Sequence, residues 1–316
     1  MLFNNYPAAG PLASRRLARP GGRWYRPCVR GQFLTSDGVP LGYLRQGREP
    51  GGGPPLILVH GGATDTSCFE PLLPRLSAAR DVLCYDRRGR AGSGDGSSYD
   101  VRREVLDLAE FAAFAAGGGP ADVFGHSYGG TIALLLAADR GLSGSIGKLA
   151  VYEPPFAVPG LVPAGLPAKV RELADAGRAD EALRAFLGHV LALPDRVLAV
   201  MRHHPSWAAS LAALPTLHRE FDVVTSVPPP DRIDPAIDVL YLIGKAGGNP
   251  SFGVVAAAVR AASPRVTMAE VGGLPHLAIA TWTEPMAALL DAYFGGPDLA
   301  GPDLQGRAPG SVDFSA

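Results

Sequence analysis

Residues 121–137, ADVFGHSYGGTIALLLA, carry the strongest structural signal in this 316-residue chain. A short apolar run and a longer one typical of a buried helix flank the pattern Gly-X-Ser-X-Gly. A strand that turns abruptly into a helix strains its central residue and presses the positions two before and two after it together. Glycine, which has no Cβ, fits those two positions. The stretch therefore predicts Ser127 as a nucleophile at the tip of a strand-turn-helix elbow.

Short apolar runs alternate with helical patterns on both sides of this elbow. Strands are predicted at residues 32–36, 40–45, 55–59, 82–85, 122–124, 148–152, 239–243 and 266–271. Helices are predicted at residues 68–79, 102–116, 130–140, 252–262 and 283–294. The central strands are continuously apolar, as strands covered on both faces must be. This order predicts an α/β protein with a doubly wound, mostly parallel sheet of about eight strands.

One gap is much longer than a crossover between parallel strands requires. Residues 154–238 contain several helical segments separated by prolines. We expect them to form an inserted helical cap over the carboxyl edge of the sheet, where open α/β folds bind ligands. The core then comprises residues 31–153 and 239–294. Residues 1–30 and 295–316 are rich in Pro and Gly and lack any periodicity, so both ends are predicted to be disordered.

Composition narrows the class of function. The formal net charge is -1, so nucleic acid and anionic membrane surfaces are not expected as partners. The three cysteines, an odd number without metal-ligand spacing, fit a reducing compartment. No apolar run approaches the roughly 18 residues of a membrane span. We expect a cytoplasmic monomer or homodimer whose partner is a small molecule.

A second motif, His60-Gly61-Gly62, ends another predicted buried strand. Glycine lets the backbone approach a substrate closely, so a backbone N–H here can point at a developing oxyanion. We predict that the N–H groups of Gly62 and Tyr128 form an oxyanion hole, and that Gly61 lies against the substrate.

The general base has to come from one of seven histidines. His276 follows the last predicted strand and precedes the terminal helix, so its loop can return to the elbow. His60 and His126 flank the two motifs and are expected to be structural or to line the pocket. We therefore predict His276 as the base.

The GHSYG elbow, the HGG turn and His276 together resemble the α/β-hydrolase superfamily over roughly residues 31–294. The loop YDRRGRAGSGD at residues 85–95 is similar to one that shapes the fold in that family, so Asp86 and Arg87 are interpreted as structural. The resemblance implies an α/β-hydrolase fold whose triad acid follows strand 239–243. Residues 239–269 contain no Asp or Glu, however, so the acid must come from elsewhere or be replaced.

Glu153, at the end of the strand that follows the elbow helix, is the leading candidate for the acid. Carboxyl ends of parallel strands meet at one edge of a sheet. Zearalenone-type lactonases of the superfamily place a triad Glu after this strand. Glu153 is then expected to accept the Nδ1 proton of His276. Asn249 remains the alternative, because a neutral amide can also orient an imidazole.

With serine at the elbow, the resemblance implies a serine hydrolase that cleaves a carboxylic ester or lactone of a hydrophobic compound. This mechanism is expected to require neither a metal nor an organic cofactor. The same residues serve cofactor-free perhydrolases, carbon–carbon bond hydrolases, thioesterases and lyases. A ligand-binding or receptor-like member with little turnover is the alternative from another class. The inserted segment is expected to select the substrate through Phe156, His203 and Trp207.

Overall fold

A computed structural model describes residues 17–18, 24–47, 53–78, 80–244, 249–271, 274–277, 279 and 283–295. In these residues the strands are β1 (Leu17–Ala18), β2 (Trp24–Leu34), β3 (Pro40–Gly47), β4 (Leu56–Val59), β5 (Asp81–Tyr85), β6 (Ala121–His126), β7 (Ile146–Tyr152), β8 (Asp238–Gly244) and β9 (Val266–Val271). The helices are α1 (Leu73–Leu76), α2 (Val101–Ala116), α3 (Tyr128–Ala138), α4 (Leu166–Asp175), α5 (Ala179–Val190), α6 (Asp195–Met201), α7 (Ser206–Ser226), α8 (Ser251–Ala262) and α9 (Thr283–Gly295). Single 3-10 turns cover Thr66–Phe69 and Ser143–Ser145.

The described strands form one sheet in the order β1-β2-β3-β5-β4-β6-β7-β8-β9. The pairs β1–β2, β2–β3 and β3–β5 are antiparallel, and every pair from β5 to β9 is parallel. The predicted doubly wound, mostly parallel sheet is confirmed. It has one strand more than predicted, because the two-residue β1 is too short to show a sequence period.

Helices cover both faces of the sheet. Leu56 and Leu58 of β4 belong to the hydrophobic cluster that includes α1 and α9, whereas Ile57 and Val59 belong to the cluster that includes α2 and α3. This alternation follows from the two-residue period of a strand. Packed helices therefore cover both faces of the sheet. The carboxyl ends of the parallel strands β4, β6 and β7 lie together at one edge, which the helices on the two faces leave open.

Two predicted features of the amino-terminal part are corrected. Residues 24–30 belong to β2, which pairs with β3 from Arg26 onward, so the prediction of disorder is wrong for them. The helix predicted at residues 68–79 is replaced by the 3-10 turn and the four-residue α1, because Pro71 and Pro74 interrupt the helical hydrogen bonds. Leu17–Ala18 form β1 and Gly295 ends α9, so the prediction of disorder is also wrong for these residues. The other residues of the predicted disordered ends, 1–16, 19–23 and 296–316, lie outside the described residues.

Four helices, α4 to α7, lie between β7 and β8, in the segment predicted as a cap; they are called the inserted helices below. α4 packs against α5, and both contact the 21-residue α7. Leu217, Phe221 and Val224 recur at helical spacing on α7 and are buried. Across the described ranges, no helix combines the length and the apolar character needed to cross a bilayer.

Candidate active site

Ser127 lies between β6 and α3, with its backbone in the left-handed region at φ 51°. The neighbouring glycines are required by close backbone contacts. A Cβ on Gly125 would lie 2.6 Å from Gly130 Cα, and one on Gly129 would lie 2.1 Å from the carbonyl oxygen of Val59. The predicted elbow is therefore present, with Ser127 at the amino terminus of α3.

Glu153 directly follows β7 and contacts His276. Its Oε2 lies 2.6 Å from His276 Nδ1, and its Oε1 accepts a hydrogen bond of 2.8 Å from the backbone N–H of Gly244. The two side chains are only 4% and 3% exposed. A carboxylate can only accept, so Nδ1 carries the proton and Nε2 is left free to act as a base.

The carboxyl end of β8 packs closely against the loop that carries His276. A Cβ on Gly244 would lie 2.2 Å from the carbonyl oxygen of Leu274 and 2.6 Å from Tyr152 Oη. Tyr152 Oη in turn donates to the carbonyl of Pro275 at 2.7 Å. The backbone of the His276 loop therefore packs directly against the end of β8. The carboxylate that reaches His276 is that of Glu153, at the end of the adjacent strand β7.

Asn249 does not contact the histidine. Its Nδ2 donates to the carbonyl of Leu161 at 2.9 Å, and its Oδ1 accepts from the backbone N–H of Ser251 at 3.0 Å. The side chain therefore ties the start of α8 to the segment that precedes the inserted helices. Residues 245–248, the rest of this loop, lie outside the described residues.

The His276 ring is held by its neighbours. It stacks on Phe252 with ring centroids 5.1 Å apart, and the backbone carbonyl of His276 accepts a 2.8 Å hydrogen bond from His126 Nε2. Burial lowers the pKa of His126 to about 3, so this ring is neutral and its proton lies on Nε2. Among the described residues, no hydrogen bond joins Ser127 Oγ to His276, and catalytic hydrogen bonds often tighten only with substrate bound.

The Gly61–Gly62 peptide is held in one orientation. The carbonyl of Gly61 accepts from Arg87 Nη1 at 2.9 Å and from His60 Nδ1 at 3.0 Å. His60 Nε2 accepts the backbone N–H of Arg87, which leaves the ring proton on Nδ1. Burial lowers the pKa of His60 well below its usual value, so the ring is neutral. In a trans peptide the N–H points away from the preceding carbonyl, so that of Gly62 points away from Arg87.

A cavity lies above the elbow and is lined by Gly62, Ser127 and Tyr128. In the part of the chain that the structure describes, the backbone N–H groups of Gly62 and Tyr128 donate no hydrogen bond. Both N–H groups therefore remain available to an oxyanion. The cavity is otherwise mainly apolar, with walls that include Val162, Phe186, Leu191, Leu217, Phe221 and Phe252.

Three residues predicted to face the substrate do not line this cavity. Phe156 is fully buried in the main core, and Trp207 is buried with its indole N–H on Asp180 Oδ1 at 3.1 Å. His203 is exposed on the surface. Pro155, the neighbour of Phe156, does line the cavity, and only the Phe156 side chain turns into the core. The part of these three side chains in substrate binding stays a prediction. Gly61 lies beside the nucleophile: a Cβ on it would be 2.9 Å from Ser127 Cβ.

The cavity also contains a carboxylate that the sequence analysis did not identify. Glu220 of α7 is 4% exposed and lines the cavity. Its Oε1 accepts from Arg87 at 2.7 Å and from Arg90 at 2.5 Å. The sequence does contain a signal for this buried carboxylate. Glu220 lies on the same helical stripe as Leu217 and Phe221, and a charged side chain on an apolar stripe is unusual.

Comparisons with known proteins show the family and the fold. A model described as the alpha/beta hydrolase family matches residues 56–292. An alpha/beta hydrolase from Sphaerobacter thermophilus DSM 20745 is similar, with 32% identity and a TM-score of 0.67 over 79% of this chain and 97% of that one. An esterase from Rhodococcus sp. ECU1013 has 21% identity and a TM-score of 0.66, covering 84% of this chain and 98% of that one. An enol-lactonase from Burkholderia xenovorans LB400 has 18% identity and a TM-score of 0.62, covering 84% and 100%.

Proposed function

The chain belongs to the alpha/beta hydrolase family, and within it we propose a serine hydrolase that cleaves a carboxylic ester or lactone of a hydrophobic small molecule. The observation that carries the proposal is the 2.6 Å contact between His276 Nδ1 and Glu153 Oε2. The backbone carbonyl of His276 is tied to His126, the residue before Ser127. A serine at an elbow, a histidine and a buried carboxylate are the groups that acyl transfer needs.

The first half of the reaction forms an acyl-enzyme. Ser127 Oγ attacks the ester carbonyl while His276 Nε2 takes its proton, and Glu153 stabilises the resulting imidazolium. The N–H groups of Gly62 and Tyr128 hold the oxyanion, beside the positive amino-terminal end of α3. Collapse of the tetrahedral intermediate breaks the bond to the alcohol, which takes its proton from His276.

The second half of the reaction reverses these roles with water. His276 takes a proton from water, and the hydroxide attacks the acyl carbon on Ser127. The second oxyanion is held by the same two N–H groups, and its collapse returns the proton to Ser127. In a lactone the alcohol stays attached to the acyl group, so a single hydroxy acid is the product.

Apolar walls around the elbow support a hydrophobic substrate. The similar structures include an esterase and an enol-lactonase. Open-chain esters and lactones are therefore the first two compound classes to screen as substrates. At 21% and 18% identity these two structures show a shared fold and no more. The substrate screen therefore has to decide between esters and lactones.

The proposal is tested with a panel of esters and lactones of varied acyl size. We expect the wild-type chain to hydrolyse at least one member, and Ser127→Ala to lower kcat by about 10⁴-fold or more. Ser97→Ala, which changes an exposed serine, is the matched control and keeps full activity. Turnover that survives in Ser127→Ala contradicts the proposal. A folded wild-type chain that hydrolyses nothing favours the low-turnover ligand-binding alternative.

A further inference from the structure

The carboxylate of Glu220 has one bonded oxygen and one free oxygen. Oε1 accepts from both Arg87 and Arg90, whereas Oε2 is buried and has no hydrogen-bond partner among the described residues. Leaving a buried acceptor unpaired is unfavourable, so such groups in native proteins call for an explanation. Because both arginines donate to Oε1, the carboxylate is held in one orientation. The position of Oε2 beside the cavity is therefore fixed.

Oε2 lies at the predicted oxyanion hole. A Cβ built on Gly62 would be 2.5 Å from Glu220 Oε2, and both residues line the same cavity as Ser127. A substrate carbonyl held by the N–H of Gly62 would thus have this acceptor within a few bonds of its carbon. The structure offers a recognition group where the reacting end of the substrate binds.

The charges around Glu220 indicate which kind of substrate group can bond to Oε2. Arg87 also pairs with Glu104 at 2.7 Å, so two arginines face two glutamates and their formal charges cancel. Burial raises the pKa of Glu104, but the guanidinium of Arg87 outweighs it and the net pKa is lowered, so Glu104 stays ionised. An ammonium group would add an unbalanced charge to an otherwise apolar cavity. A neutral hydroxyl donor fits Oε2 better.

The direction of the reaction places this hydroxyl on the acyl part. The leaving alcohol must lie toward His276, which protonates it. Glu220 Oε2 instead lies 2.5 Å from where a Cβ of Gly62 would be, beside the residue that holds the carbonyl oxygen. The group that faces Glu220 therefore belongs to the acid that becomes attached to Ser127.

We propose that Glu220 is a specificity-determining residue, and that the substrate is an ester or lactone of an acid with a hydroxyl at C2 or C3, which donates to Glu220 Oε2. This inference rests on the proposed function and narrows its substrate class. It also accounts for the buried charge on an otherwise apolar stripe of α7.

Matched phenyl esters test the inference with the wild-type protein alone. We compare kcat/KM for butanoate, for 2-hydroxy- and 3-hydroxybutanoate, and for the corresponding 2-oxo and 3-oxo esters. A hydrogen bond to a charged group favours at least one hydroxy ester over butanoate by about 10- to 100-fold. The matching oxo ester falls below the hydroxy ester, because its oxygen offers only lone pairs to the carboxylate.

The variant Glu220→Gln is expected to change this order. Arg87 and Arg90 need an acceptor, so the amide oxygen stays with them and the amide NH₂ turns to the cavity. The oxo ester then gains a donor, and the hydroxy-to-oxo ratio of kcat/KM drops by about tenfold or more. Glu181→Gln, which changes an exposed glutamate on an inserted helix, leaves the ratio at its wild-type value.

Each outcome decides a specific claim. Equal kcat/KM for hydroxy esters and butanoate overturns the role of Glu220 and leaves the serine hydrolase proposal intact. A hydroxy-to-oxo ratio that does not change in folded Glu220→Gln also overturns it. If the variant does not fold, the wild-type preference alone decides. A folded wild-type chain that cleaves none of these or any other ester removes both proposals.

Discussion

Glu153 Oε2 lies 2.6 Å from His276 Nδ1, although Glu153 follows β7 and the loop after β8 is the usual source of the acid in the superfamily that the chain resembles. β7 and β8 are adjacent and parallel, with Tyr152 opposite Leu242. Their carboxyl ends therefore lie side by side. The N–H of Gly244, at the end of β8, donates to the second oxygen of Glu153. β8 thus contributes a backbone donor to the pair, and β7 contributes the charge.

Replacing this carboxylate is expected to impair catalysis without unfolding the protein. Glu153→Gln loses the charge that stabilises the imidazolium and can favour the wrong tautomer, so kcat for the best ester falls by about 10²- to 10⁴-fold. Steady-state kinetics and circular dichroism measure the two effects separately.

Asn249→Ala is the matched comparison for that variant. It leaves the Leu161 carbonyl and the Ser251 N–H without a partner, so stability falls by about 1–3 kcal/mol while kcat stays near the wild-type value. A larger loss of kcat in Asn249→Ala than in Glu153→Gln would make Asn249, and not Glu153, the third member of the catalytic triad.

Tyr128 is expected to act through its backbone. Its hydroxyl lies 2.7 Å from that of Tyr99, which donates to Glu104 Oε1 at 2.6 Å. Tyr128→Phe removes this contact but keeps the N–H, so it costs about 1 kcal/mol of stability and leaves kcat unchanged. Urea unfolding and ester hydrolysis check the two statements. A loss of kcat comparable to that in Glu153→Gln would show that the hydroxyl takes part in the reaction.

The elbow glycines are expected to tolerate no side chain. Gly129→Ala places a Cβ against the backbone of Val59, and overpacking of this kind costs about 1–3 kcal/mol, with loss of activity as the elbow shifts. The control is Gly253→Ala in α8, where a Cβ would meet nothing within 4 Å. Alanine there stabilises the helix by about 0.5–1 kcal/mol. Thermal unfolding of both variants tests the contrast, and equal effects would contradict it.

Acid is expected to destabilise the fold through its buried neutral histidines. The pKa of His126 is about 3 in the folded protein, against a usual value of 6.5. Between these values the unfolded chain binds more protons, so the free energy of unfolding falls as pH falls below 6.5. The lowered pKa of His60 acts in the same direction.

His126→Gln isolates one of these protons. The amide can still donate to the carbonyl of His276 but does not titrate, so the pH slope of the unfolding free energy decreases by up to about 1.4 kcal/mol per pH unit. Urea titrations from pH 7 to pH 4 measure the slope. His203→Gln, at an exposed position, serves as the control. Identical slopes in His126→Gln and the wild type would contradict the assignment.

Local sequence was sufficient to predict the parts of the site that depend on local backbone. The strand-turn-helix around Ser127 follows from glycine sterics together with the apolar runs that flank the turn in residues 121–137. Glu153 was predictable for a different reason, because chain order fixes which strand ends meet and residues 239–269 contain no acid. The sheet was predictable from the same alternation of strands and helices.

The substrate-facing residues could not be predicted in this way. Phe156 turns into the core beside Pro155, His203 lies in the exposed turn between α6 and α7, and Trp207 packs at the start of α7 with its N–H on Asp180. These placements depend on packing between segments that are distant in the chain. Glu220 is buried because Arg87 and Arg90 lie opposite it, about 130 positions earlier in the chain. Such a pairing has no local sequence pattern.

Labelling with a fluorophosphonate probe shows whether Ser127 is an activated nucleophile. The purified 316-residue chain is treated with the probe and digested, and the adduct is located by mass spectrometry. We predict one adduct per chain, on the peptide that contains Ser127, absent in Ser127→Ala and formed more slowly in Glu153→Gln. A folded protein that takes up no probe, or takes it up on another residue, would contradict the role of Ser127 as the nucleophile.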